Sequence, residues 1–205
     1  MITVVVRVWM PDRPGALGQV ASRIGAVRGD VLAIEILEHG AGRAIDELMV
    51  SLPDENLIAL LTAEVDAVDG VSVESIRVVD EDRTDPSLAA LALCAAVAES
   101  PSADRVGVLA AGIERIVEAD WVAVIRAGEV VAQSGEPPDM GWLTAFLAGS
   151  EHLDAADDTA PSDIVWVHLA GSALTMAAGR VGHPIHERER VRVSLVGRLA
   201  DALMN

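Results

Sequence analysis

The run Met10-Pro11-Asp12-Arg13-Pro14-Gly15-Ala16-Leu17-Gly18-Gln19-Val20 holds the clearest binding chemistry in the chain. Two prolines and two glycines fall within eight residues, between an apolar run and a helical pattern. Pro14 fixes its own φ, and Gly15 adopts conformations closed to other residues. A helix that starts here leaves the N–H groups from about Gly15 to Gly18 without internal partners, beside the positive end of the helix dipole. Such a start receives a carboxylate or another anion. Taken alone, the same residues also fit an ordinary strand-to-helix turn, so the surrounding elements must decide.

Other groups with chemical potential fall short of a site. His183-Pro184-Ile185-His186 offers two imidazoles, but no Cys or acidic pair completes a metal set at a recognised spacing. Glu187 and Glu189 fit a helix start, where acids complement the dipole. Asp154, Asp157, Asp158 and Asp163 lack the spacing and the bidentate Glu of an EF-hand, and read as a solvated loop. Ser134-Gly135 and Gly171-Ser172 read as turns, outside any nucleophile-elbow pattern. No phosphate-cradling glycine loop appears. His39 is expected to be exposed and His168 to pack within a strand. No nucleophile, base and orienting acid can be assembled, so no enzymatic activity, metal or cofactor is expected.

Composition narrows the partners. The chain has 205 residues and a net charge of −17, with acids spread over both halves and no Lys. That charge repels nucleic acid phosphates and anionic membrane surfaces. Four Trp, one Phe and no Tyr leave little for base stacking. The one cysteine, Cys94, cannot form an internal disulfide, and reads as a buried, inert thiol in a cytoplasmic protein. No apolar run reaches membrane-spanning length, and no targeting segment is recognisable.

The first eighty residues alternate between two periodicities. Ile2–Trp9 is Val-rich and reads as a strand buried on both faces. Leu17, Val20, Ala21, Ile24 and Val27 form a helical stripe ended by Gly29. Val31–Glu38 and Arg43–Leu52 read as a hairpin about His39-Gly40-Ala41-Gly42. A second helix starts at Pro53-Asp54, buries Leu57, Leu61, Val65 and Val68, and closes at Asp69-Gly70. Val71–Val79 is the fourth strand. This β-α-β-β-α-β order predicts the α+β, ferredoxin-like arrangement of one antiparallel sheet with two helices on one face.

Within that order, Asp12-Arg13-Pro14-Gly15-Ala16-Leu17 resembles the D/N-x-P-G-x-L loop of the ACT domain family, over roughly residues 1–80. The resemblance implies a small-molecule regulatory module, most often for amino acids. It also implies side-by-side pairing of ACT domains, with the ligand site closed by the second strand of a neighbouring domain. Carried onto this sequence, the implied site residues are Met10, Asp12, Arg13, Pro14, Gly15, Ala16, Leu17 and Gly18, with Val31 and Leu32 on the second strand. Ligand-binding members often have an Asn near the start of that strand, where this chain reads Gly29-Asp30-Val31. Met10 also stands where some members place a polar residue. Either the site takes an apolar amino acid through backbone groups, or the domain only dimerises.

Residues 81–86 are charged, end in Pro86 and read as a linker between an ACT domain at 1–80 and a second domain at 87–205. There, helices over Ser87–Glu99 and around Val106, Leu109, Ile113 and Ile116 precede strands Asp120–Arg126 and Glu129–Ser134. A short helix over 139–149, an Asp-rich loop over Ser150–Asp163, the hairpin Ile164–Leu169 and Ala173–Ala178, and a helix over His186–Met204 follow. The order and the closing helix resemble a GAF-like α/β sensor domain, with a PAS-like domain as the alternative. On the last helix Val191, Leu195, Leu199 and Leu203 recur at i,i+4 spacing, while Arg188, Arg190, Arg192 and Arg198 spread around a solvated outer side. The whole predicts a cytoplasmic, non-enzymatic regulatory protein. It would be a homodimer through its ACT domains, with a small-molecule ligand, an amino acid first among candidates, and output through a protein partner. Neither nucleic acid nor membrane is expected as a partner. A ligand-free interaction module acting through a partner protein is the alternative.

Overall fold

Val4, Val5, Val6 and Val8 are all inaccessible to water, as a strand covered on both faces requires. In the computed structural model, which describes residues 1–150 and 161–205, this strand runs Ile2–Pro11 (β1), past the Trp9 end expected from its apolar run. The chain divides into two compact units, Met1–Arg83 and Thr84–Asn205. In the first, β1 is followed by α1 (Ala16–Ala26), β2 (Asp30–Gly40), β3 (Arg43–Leu52), α2 (Ile58–Asp66) and β4 (Ser72–Val79). A single 3-10 turn, Glu55–Leu57, leads into α2, because the Asp54 side chain captures the Asn56 N–H at 2.8 Å. The sheet order is β2-β3-β1-β4, antiparallel throughout. This is the expected ferredoxin-like arrangement.

Register assigns the two faces of this sheet. Met10, Val8, Val6 and Val4 lie opposite Ala44, Asp46, Leu48 and Val50. All but Asp46 belong to the core that Val20 and Ile24 of α1 and Leu61 and Val65 of α2 complete. The alternate rows carry Arg7 opposite Glu47. Both side chains are buried, with Arg7 Nε donating to Glu47 Oε2 at 2.7 Å. Arg83 Nη2 donates to Glu47 Oε1 at 3.1 Å, and Arg77 Nη2 stands 3.5 Å from Oε2. Arg83 lies in the stretch expected as linker and is tied into the first unit by this contact; Asp85 caps the first helix of the second unit.

The second unit runs α3 (Pro86–Glu99), α4 (Arg105–Val117), β5 (Trp121–Arg126), β6 (Glu129–Gly135), α5 (Met140–Gly149), β7 (Ile164–Leu169), β8 (Leu174–Gly179) and α6 (Glu187–Met204). Its antiparallel sheet has the order β6-β5-β8-β7. Strict alternation on β5 gives it two cores. Val122 and Val124 pack with α3, α4 and α6, whereas Trp121, Ala123 and Ile125 pack with Leu143 and Leu147 of α5. Most of the Asp-rich loop, including Asp154, Asp157 and Asp158, lies outside the described residues.

Two expectations for this half are corrected, and the α6 stripe is assigned its side. Val191, Leu195, Leu199 and Leu203 are on the exposed side of α6, and Val193, Val196 and Ala200 meet the core instead. Arg190 and Arg192 are buried rather than solvated. Arg190 donates to the carbonyls of Ile185 and Ile164 at 2.8 Å and of Pro161 at 2.6 Å, tying the helix start to the segment before β7. His168 lies in β7 but is exposed, within 3.1 Å of Thr175 Oγ1. His39 is exposed, and His186 is a buried helix cap whose N–H donates to Glu189 Oε2 at 2.9 Å. The Cys94 thiol is half-buried, and burial pushes it up from its ordinary value.

The buried Glu47 cluster makes a stability prediction. Removing one partner of such a pair leaves an uncompensated charge, at about 3–5 kcal/mol. Glu47→Ala is therefore expected to lose that much in urea unfolding; a loss below about 1 kcal/mol contradicts it. Burial pushes the Glu47 carboxyl up, but Arg7, Arg83 and Arg77 together outweigh it and hold it below its ordinary value. The cluster's stabilisation is thus present above about pH 4.3 and lost as pH falls through the lower folded value. Wild type should lose stability in that acid window more steeply than Glu47→Ala.

Candidate ligand site

The loop that leaves β1 is held at three points. The Asp12 N–H donates to Gly42 O at 3.0 Å, fixing it to the β2–β3 turn. Arg13 N–H bonds back to Pro11 O at 2.9 Å, and Ala16 N–H to Arg13 O at 3.2 Å. Gly15 then caps α1 in the left-handed region, at φ 88°, as the Pro-Gly pair requires. The first helical bond runs from Gln19 N–H to Gly15 O at 3.1 Å. One of the four N–H groups expected to be open, that of Ala16, is therefore engaged. Those of Gly15, Leu17 and Gly18 have no backbone acceptor among the described residues. Behind the loop, Gly70 turns at φ 75°, and a Cβ there would stand 2.9 Å from Pro11 Cγ.

The expected site residues separate into three groups. Asp12, Arg13, Pro14, Gly15 and Gly18 are exposed, and Leu17 is half-buried. Met10 and Ala16 are core residues, closed to a ligand by packing. Val31 and Leu32 lie elsewhere. Val31 pairs with Val50, which pairs with Val4, so the start of β2 is level with the far end of β1. It is on the order of 20 Å along the strand from the loop. Val31 packs on its own core, and Leu32 is exposed on the free edge of the sheet with Ile34 and Ile36. A shallow depression of about 480 Å³ between α1 and the α2–β4 turn is bordered by Arg13, Gln19, Arg23 and Asp69, and takes in only one expected site residue.

One residue near the loop escaped the sequence reading. Asp46 lies on the helix-side face, between core Val8 on β1 and exposed Ile36 on β2. It is 4% exposed, and its Oδ1 is buried without a hydrogen-bond partner. Burial and then the charge of nearby Asp12 push its carboxyl above the usual range. The signal was two consecutive acids, Asp46-Glu47, inside an apolar strand. In a strand, one of two neighbours must face each side.

The sequence model of the ACT domain family matches residues 4–70. The match supports an ACT domain at residues 4–70, within the first unit. ACT domains are small-ligand regulatory domains, and they often dimerise. Comparison with curated protein sequences finds no match. Among solved structures, the ACT domain of a GTP pyrophosphokinase from Chlorobium tepidum is 17% identical, over 38% of this chain and 97% of that one, with a TM-score of 0.31. A formyltetrahydrofolate deformylase from Pseudomonas putida is 16% identical, over 43% of this chain and 36% of that one, at 0.29. A protein from Galdieria sulphuraria is 15% identical, over 74% of this chain and 93% of that one, at 0.34. Among the described residues no helix of the ACT unit or of the second unit is long and apolar enough to cross a membrane, and no group of three or more His, Cys, Asp or Glu could hold a metal ion.

Gly15 in the loop and Gly70 in the turn behind it differ in what surrounds them. A Cβ at Gly15 meets nothing within 4 Å, so Gly15→Ala carries only the left-handed backbone cost, about 1–2 kcal/mol. Gly70→Ala adds a clash with Pro11 and is expected to cost more. Chemical denaturation of both variants measures this, and an equal or smaller loss for Gly70→Ala contradicts it.

Proposed function

We propose that this protein is a non-enzymatic regulatory sensor, binding an amino acid or similar small metabolite at the loop after β1 and signalling through a dimer interface. The observation that carries this reading is the loop itself. Its left-handed Gly15 opens α1 with the Leu17 and Gly18 N–H groups without a backbone acceptor among the described residues, which suits a carboxylate.

The position of β2 supports a dimer. Leu32, Ile34 and Ile36 stand on an unpaired edge, which a globular protein covers or pairs. Antiparallel pairing of two β2 edges about a two-fold axis brings the partner's Val31 and Leu32 alongside the Ile36–Gly40 end, next to the loop. The distance between the loop and Val31 within one chain is then no obstacle to both contributing to one site. Ligand bound there favours one dimer arrangement, by linkage. The second unit, read as a GAF-like domain in a cytoplasmic protein, reports that arrangement to a protein partner.

The ligand-free alternative rests on Val31, an apolar residue where an amide would have bonded the ligand. A thermal-shift panel of the L-amino acids separates the two. Saturation to 100 times Kd is worth about 2.7 kcal/mol. At roughly 2–4 °C per kcal/mol, at least one amino acid should raise Tm by several degrees. Gly15→Val should abolish the shift while sedimentation still reports a dimer, and Ile34→Glu should give a monomer. A flat panel at millimolar concentrations overturns the sensor reading and leaves the interaction module.

A further inference from the structure

Helix α3 has no polar side. From Pro86 to Ala98 it carries no charged residue, in a chain where 23% of residues are charged. Ala90, Leu93 and Val97 face the core of the second unit, where α3 packs on α4 and α6. On the opposite side Leu88 and Leu91 are 59% and 63% exposed, and Ala92, Ala95 and Ala98 continue their stripe at helical spacing. A helix that is apolar all round is ordinarily covered all round. The neighbouring helix extends the patch. Arg105 donates from Nη1 to Leu203 O at 2.6 Å and from Nε to Ser100 O at 3.1 Å, so α3 and α6 end together, and packed side by side they run in the same direction. The exposed stripe of α6, Val191, Leu195, Leu199 and Leu203, therefore lies beside that of α3.

We propose that this two-helix face is the contact surface for a second copy of this chain, distinct from the β2 edge and independent of ligand binding at the loop. Its size sets its strength. From the rise of an α-helix and the usual spacing of packed helices, the face measures roughly 400–500 Å² per copy. Two copies bury about twice that, at the lower limit of about 1,000 Å² for a specific interface. A contact of this size forms only as protein concentration rises. Charge favours a second copy over an unlike partner. The exposed charges at the ends of α3 are acids, Asp85 and Glu99, whereas those of α6 are Arg188 and Arg198 with Glu187. A two-fold axis along the helices lays α3 of one copy on α6 of the other, which sets acids against arginines at the margins. The apolar stripes themselves carry no acid, so two copies of net charge −17 meet there without like charges in contact.

The experiment is sedimentation equilibrium of the full chain bearing Ile34→Glu, which removes the β2 edge contact, from low micromolar to several hundred micromolar protein. The expected result is a monomer at the low end and a dimer at the high end. Adding Leu91→Gln and Leu195→Gln should weaken that association at least about tenfold. Both side chains are exposed and Gln is a good helix former, so Tm at low concentration should match that of Ile34→Glu alone, which excludes misfolding as the cause. An Ile34→Glu chain that stays monomeric throughout overturns the proposal, as does a dimer that the two Gln substitutions leave unchanged. Binding to phosphatidylcholine vesicles in place of self-association gives the face to a membrane and overturns it too. A dimer already present at low micromolar that the Gln substitutions split overturns the β2 contact and leaves this one.

Discussion

The first unit depends on β1 being a central strand in strict register. Antiparallel pairing to β3 runs without a break from Ile2 to Pro11, and β4 holds the other side over most of that length. Where β1 ends, the Asp12–Gly42 bond and the Pro11–Gly70 contact leave the chain one way out. The turn at Gly15 is thus positioned by the sheet rather than by its own sequence. The same register places Arg7 against Glu47 and Val8 against Asp46, so two adjacent acids of β3 meet opposite fates. Glu47 is surrounded by guanidinium groups, and Asp46 Oδ1 is buried without a hydrogen-bond partner.

That contrast separates a compensated buried acid from an uncompensated one. A buried ion pair with several cationic partners is structural: its removal is costly, and its charge is neutralised in place. A buried acid with an orphaned oxygen lacks that compensation and destabilises the fold. The two acids sit in adjacent residues on one strand, so they share backbone rigidity. What differs is the face. The helix-side row of Asp46 runs from Val8 to Ile36 with no cation beside its buried Oδ1, whereas on the other face Arg7, Arg77 and Arg83 converge on Glu47.

Much of the ACT unit was legible in the sequence. Val-rich continuity marked β1, the 3.6-residue stripe of Val20, Ile24 and Val27 marked α1, and Asp12 to Leu17 fixed the loop between them. The pattern stopped where side-chain type no longer reports environment. Nothing in Met10-Pro11 says that pairing with Ala44 and Arg43 extends β1 past Trp9. Val31 and Leu32 were grouped with the loop through the family resemblance, and only the register shows how far apart they lie in one chain. Asp46 was passed over because an acid in a strand is ordinarily a solvated one. On α6 the i,i+4 stripe was real, but a second stripe of Val193, Val196 and Ala200 took the core, and periodicity alone does not say which stripe turns inward. Arg190 shows the complement: a charge read as solvated is buried because three carbonyls await it.

The most direct measurement is the amide ¹H–¹⁵N spectrum of the full chain titrated with L-leucine. The expected result is saturable shifts at Gly15, Leu17 and Gly18, with the start of β2 moving at the same ligand concentration. Shifts confined to residues of the second unit, or none at the Gly15–Gly18 amides, would contradict a ligand site at this loop.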